Sequence, residues 1–116
     1  MTDNTLQLTV LPLAPAAASI RIVGDVTAKS EADLMAAHEE ATELGARLVI
    51  LDFAGMEYMN SGGIGMLVTL LVRGQRRQQR LAAVGLSGHY RQIFQLTRLD
   101  EAFHLFDDVD AALASE

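Results

Sequence analysis

The stretch EYMNSGGIGM, Glu57 to Met66, gathers a hydroxyl, a carboxamide and three glycines directly after the apolar run LVILDFAGM. Several chemistries use such a combination. A phosphate-binding P-loop needs a lysine behind its second glycine to reach the phosphates, and none follows here. A dinucleotide fingerprint needs G-x-G-x-x-G; Gly63 and Gly65 begin one, but Val68 stands where the last glycine belongs. A serine-hydrolase elbow reads G-x-S-x-G, and around Ser61 its first glycine is replaced by Met59. What remains is a helix opening, in which Ser61 or the preceding Asn60 caps the helix through its side-chain oxygen, or a regulatory hydroxyl that another protein must reach. Gly62, Gly63 and Gly65 each weaken a helix by roughly 1 kcal/mol relative to alanine. Their clustering predicts that something approaches the backbone closely at this turn.

No base stands ready to activate the serine. His38 lies among Glu39 and Glu40 in a helical pattern and reads as a solvated surface residue; His89 follows Ser87 and Gly88 at a helix start; His104 alternates with Phe103 and Leu105. None has a carboxylate at a recognisable catalytic spacing. The acids Asp100, Glu101, Asp107, Asp108 and Asp110 lack the spacing and glycine of a calcium loop, and the chain has no cysteine. The residues therefore predict no catalysis, no metal and no cofactor.

The elements that must position EYMNSGGIGM follow from periodicity. Leu6, Leu8 and Val10 alternate with polar residues as in a half-buried strand; Pro12 and Pro15 interrupt before a second strand from Ile20, which makes a hairpin. Ser30 and Asp33 resemble a capping box, and Leu34, Ala37, Ala41 and Leu44 repeat at helical spacing until Gly45. Arg47 to Phe53 reads as a central strand covered on both faces. A helix from Ser61 to Gln79, a strand at Leu81 to Gly85, a helix at His89 to Thr97, an edge strand at Phe103 to Phe106 and a terminal helix capped by Asp107 or Asp108 complete the chain. Alternation of strands and helices predicts an α/β fold, with the hairpin and parallel strands in one mixed sheet under about four helices. On the Ser61 helix, Ile64, Leu67, Val68 and Leu71 are expected to face the sheet, leaving Met66 and Leu70 for a partner. Arg73, Arg76, Arg77 and Arg80 fall near its end, where cations complement the helix dipole.

Composition agrees with one domain over 1–116. Half of the 116 residues are hydrophobic and 21% are charged, enough to fold a core unaided. The formal charge of -6 disfavours nucleic acid. MTDNTLQLTV has no basic leader, and the longest apolar run, Ile64 to Val72, is broken by Gly65 and Thr69 and is too short to span a membrane. A cytoplasmic protein without membrane insertion is expected.

The stretch DFAGMEYMNSGGIGML, followed by LAAVGLSGHYRQIFQLTRLDEAFHLFDD, resembles the STAS domain, the fold of bacterial anti-sigma factor antagonists. The resemblance spans nearly the whole chain and rests on Asp52, Ser61, Gly63 with Ile64 and Gly65, and Leu99. It implies an anti-sigma factor antagonist that binds an anti-sigma factor with GHKL-type serine kinase activity, thereby frees a sigma factor for transcription, and is switched off by phosphorylation at Ser61; a phosphatase would restore it. By position it implies a partner surface of Thr27, Asn60, Ser61, Gly62 and Gly63, together with Met66 and Leu70 from the helix. Asn60 and Thr27 stand where the family usually carries aspartates, and Gly62 where a second hydroxyl is common. A STAS module that does not switch, serving as a scaffold or as the soluble component of a lipid or anion transport system, is the alternative that the resemblance leaves open.

Overall fold

The computed structural model describes residues 5–13 and 15–115. Strands β1 (Gln7–Leu13), β2 (Ala17–Val26), β3 (Leu48–Met59), β4 (Arg80–Val84) and β5 (Phe103–Phe106) form one sheet in the order β1-β2-β3-β4-β5. β1 and β2 are the antiparallel hairpin, and β2 to β5 run parallel. Helices α1 (Glu31–Glu43), α2 (Ser61–Arg76), α3 (Gly88–Leu96) and α4 (Val109–Ala114) alternate with the later strands. The expected mixed α/β architecture is thus present.

Burial explains the layering. Val49, Leu51 and Phe53 of β3 join a large core with Leu34 and Ala37 of α1, Leu67 and Leu70 of α2, and Phe94 of α3. Leu48 and Ile50 point the opposite way, into a smaller cluster closed by Val109, Ala112 and Leu113 of α4. Because alternate β3 side chains are buried on both faces, LVIL shows no polar alternation.

Three departures from the sequence reading bear on the site. First, β3 does not end near Phe53. Its pairing with β4 stops at the Asp52↔Val84 position, but pairing with β2 continues to Val26↔Met59, with register shifts after Arg21 and Gly24. Asp52 is therefore a mid-strand residue, and Phe53 to Met59 form an overhang whose strand pairing is with β2 alone. Second, the capping box is formed by Thr27 and Ser30, three residues earlier than expected. Ser30 Oγ accepts the Thr27 N–H at 3.0 Å while Thr27 Oγ1 accepts from Lys29 N–H at 3.2 Å, shaping a 3-10 turn, Ala28–Ser30, ahead of α1. Ser30 makes no side-chain cap to α1 itself. Third, His38 is not a solvated residue but fully buried. Gln79 donates from Nε2 to Ala46 O at 3.1 Å and to Thr42 Oγ1 at 3.0 Å, so its Oε1 is left to accept at 2.7 Å from His38 Nε2. The network ties α1 to the segment between α2 and β4. Arg73 and Arg77 both reach Glu39 of α1, at 3.4 and 3.1 Å, so two members of the basic cluster link helices as well as occupying the end of α2.

Candidate functional site

The site is the corner where the β3 overhang hands over to α2. Asn60 has extended backbone angles and its Oδ1 accepts the Gly63 N–H at 2.9 Å. Asn60 is therefore the helix cap, and its own N–H donates to Val26 O at 3.3 Å. The open alternative of the sequence resolves accordingly: Ser61 is the first helical residue, exposed, and no hydrogen bond engages its hydroxyl among the described residues. Beside it, Tyr90 of α3 reaches over so that its hydroxyl oxygen accepts the Met59 N–H at 2.9 Å. This donor lies in the part of β3 that β4 no longer accompanies, and an unpaired main-chain donor there would be costly. Tyr90 is a positioning residue that sequence reasoning missed.

The glycines have separate reasons. A Cβ on Gly63 would lie 2.4 Å from Val26 O, so α2 packs directly on the end of β2. On Gly62 it would meet Ala28 Cβ at 3.0 Å and Ala28 N at 3.1 Å. The close approach expected at this turn is thus made, for these two, by the chain itself, and it brings the Thr27–Ser30 turn against the start of α2. Gly65 is different, because nothing lies within 4 Å of its added Cβ and it is exposed.

The outer face of α2 corrects the expectation for two residues. Met66 is 4% exposed and Leu70 fully buried, whereas Val68 and Val72 are 43% and 40% exposed. Neither Met66 nor Leu70 is available on the surface. The buried face runs Gly63, Met66, Leu67, Leu70, Gly74. Gly63 and Gly74 are its close-packing points, the latter against Leu81, whose Cδ1 would be 2.8 Å from an added Cβ. A phase assigned from bulky side chains alone cannot register a face that begins and ends on glycine; the spacing of three, one, three and four residues along those positions carries the signal once glycines are counted as buried. The outward line is Ser61, Gly65, Val68, Thr69 and Val72, with the exposed Tyr58 shortly before it in sequence.

Electrostatically, the first turn of α2 carries no acidic residue, and its unpaired N–H groups and dipole favour an anion. Thr27 and Asn60 are both partly buried, with their oxygens engaged in the caps above. His89 and His104 are exposed and separate from Ser61 in the fold's elements. Asp108 caps α4 by accepting the Ala111 N–H at 2.8 Å, and Asp107 pairs with Arg91 at 2.8 Å. Among the described residues no group of three or more histidines or carboxylates is arranged to hold a metal ion, and no helix is long and apolar enough to cross a membrane.

Solved structures share this fold. An anti-sigma factor antagonist from Mycobacterium paratuberculosis superposes with a TM-score of 0.81 at 18% identity, covering 98% of this chain and 96% of that one. The Bacillus cell fate determinant SpoIIAA in its phosphorylated form gives 0.71 at 16% identity, covering 95% and 100%. A sulfate transporter family protein from Wolinella succinogenes gives 0.75 at 21% identity, covering 92% and 88%. At these identities the likeness is one of fold. The family model described as "Mlab, STAS domain" matches residues 10–107, a span running from β1 through β5 that includes the Asn60–Ser61 corner, and the chain accordingly belongs to the STAS-domain family.

Proposed function

We propose that this chain is a non-catalytic, cytoplasmic protein-binding regulator, an anti-sigma factor antagonist whose contact with a kinase-type anti-sigma factor is switched by phosphorylation of Ser61. The observation that carries the reading is the division of labour at the α2 start. Asn60 does the capping, so the Ser61 hydroxyl has no structural duty and stands exposed at a helix N-terminus. The similarity to an anti-sigma factor antagonist and to a phosphorylated SpoIIAA supports it. In this reading the anti-sigma factor, a GHKL-type serine kinase, docks over Thr27, Asn60, Ser61, Gly62 and Gly63 and along the outward line of α2, where Val68 and Val72 replace the buried Met66 and Leu70. A phosphatase returns the modified protein to the binding state. The protein needs no cofactor, and no residue of the corner provides a base for Ser61.

The second reading, an unswitched STAS subunit of a lipid or anion transport system, is favoured by the sulfate transporter family neighbour and by the neutral Asn60 and Thr27. Incubation of the purified chain with a GHKL-type kinase and ATP, followed by peptide mass spectrometry, separates the two. The first reading predicts stoichiometric phosphate on Ser61 and none on Ser61→Ala. Modification at other residues, or none, favours the second.

A further inference from the structure

We propose that the free edge of β1, with the groove between β1 and α1, takes an extended segment of a partner protein in which apolar residues alternate with lysine or arginine. Leu6 and Asp33 at one end of this surface also line a cavity with Thr27, but the argument rests on the β1 edge and not on Ser61. Among the described residues β1 is the outermost strand of the sheet and pairs with β2 alone. Pro12 has no N–H to give a ladder, so it is tolerated in an edge strand where its nitrogen faces away from the neighbour. In an antiparallel ladder, residues of one parity direct both peptide groups to the same side. Leu8 and Val10 therefore present unpaired N–H and C=O groups outward, ready to accept another strand.

The groove beside this edge is lined by Leu6, Leu8 and Val10 of the β1 segment and by Asp33, Ala36 and Glu40 of α1. Its floor is apolar and its far rim acidic. Asp33 and Glu40 are exposed and make no ion pair among the described residues. They are about 10 Å apart along the helix, a distance bracketed by strand residues two and four positions apart, roughly 7 and 14 Å. Lysine or arginine at such positions would lay its methylene stem over Leu8 and Val10 and place its charge at the rim. The intervening residues of the incoming strand would fall on the opposite side of the sheet, which carries the exposed Gln7 and Thr9 and offers its apolar contact at Leu11, which is 48% exposed. The pattern of the occupant follows from these two faces. A second copy of this chain fits poorly, since it would bring its own Asp33 and Glu40 on a molecule of net charge -6. The first four residues, MTDN, supply an acid and no side-chain cation.

The test is NMR titration of the isotopically labelled full chain with an end-blocked peptide of alternating valine and lysine. Controls are a peptide of the same composition with its lysines and valines in two blocks, and an alternating valine and glutamate peptide. The expected result is that the alternating basic peptide alone shifts the Leu8, Val10 and Leu11 amides and slows hydrogen exchange at Leu8 and Val10. Its affinity should fall by about tenfold or more in the Asp33→Lys/Glu40→Lys variant, whose altered residues are exposed and whose dispersed NMR spectrum checks that the fold survives loss of an acid from the first turn of α1. Equal binding of the block peptide, perturbation confined to other strands, or no binding would overturn the proposal. Concentration-dependent protection of the same amides without any peptide would overturn it in favour of self-association.

Discussion

At the scale of single residues, the α2 glycines give the sharpest contrast. Gly63→Ala forces a methyl group into Val26 O, where backbone and not a flexible side chain must give way, and should destabilise by about 1–3 kcal/mol. Gly65→Ala meets nothing and should stabilise by up to ~1 kcal/mol through helix propensity. Urea denaturation of both variants checks the pair; equal effects of the same sign would contradict the packing described. The corrected helix phase makes an equally direct comparison. Val68→Asp, on an exposed position, should abolish partner binding and leave the melting temperature nearly unchanged. Met66→Asp buries a carboxylate without a partner and should destabilise strongly. Calorimetric melting of the two proteins distinguishes them, and a stable Met66→Asp protein would show that the buried face has been misassigned.

At the scale of elements, the β3 overhang is the feature that the chain's pattern concealed. LVIL is legible as a buried strand because both of its faces are covered, but AGMEYM carries a glycine and exposed polar residues and has only β2 as a strand partner. Its strand character comes from a partner distant in sequence, which local propensity does not report. The hairpin, the parallel later strands and the four helices were legible from the alternation of short apolar runs with helical periodicity and from the Gly and Pro punctuation between them. Resemblance, and not periodicity, singled out Ser61, Asn60 and Thr27 for the proposed site. Neither singled out Tyr90, because its role depends on one hydrogen bond between α3 and the overhang. Tyr90→Phe should remove that bond, cost about 1 kcal/mol, speed amide exchange at Met59, and loosen the entry to α2 enough to weaken partner binding. Unchanged exchange at Met59 would show that the overhang holds itself.

At the scale of the whole molecule, the buried His38–Gln79 link couples α1 to the chain between α2 and β4 and makes stability depend on pH. Burial lowers the His38 pKa below its ordinary 6.5, outweighing the hydrogen bond with Gln79 that raises it; Arg73 and Arg77 lower it further and Glu39 opposes them. With the folded value depressed, the unfolded chain takes up the proton first as pH falls. The contribution is therefore complete above about pH 6.5 and is lost progressively below it, until folded His38 titrates too. The wild-type melting temperature should fall between pH 7 and 5 more steeply than that of His38→Gln, which stays neutral at this position. Parallel slopes in a pH series of thermal melts would remove His38 from the account.

The same scale carries the central claim, that phosphate at Ser61 acts on binding and not on folding. An added charge of about -2 at a helix N-terminus is favoured by roughly 0.3–1 kcal/mol, and no acid in the first turn of α2 opposes it. A partner closing over that corner must instead desolvate the charge. The most direct measurement is isothermal calorimetry of the anti-sigma factor against unmodified and enzymatically phosphorylated protein, with a thermal melt of each. The account predicts an affinity loss of roughly a hundredfold or more at an unchanged or slightly raised melting temperature; undiminished affinity, or a phosphoprotein that has unfolded, would contradict it.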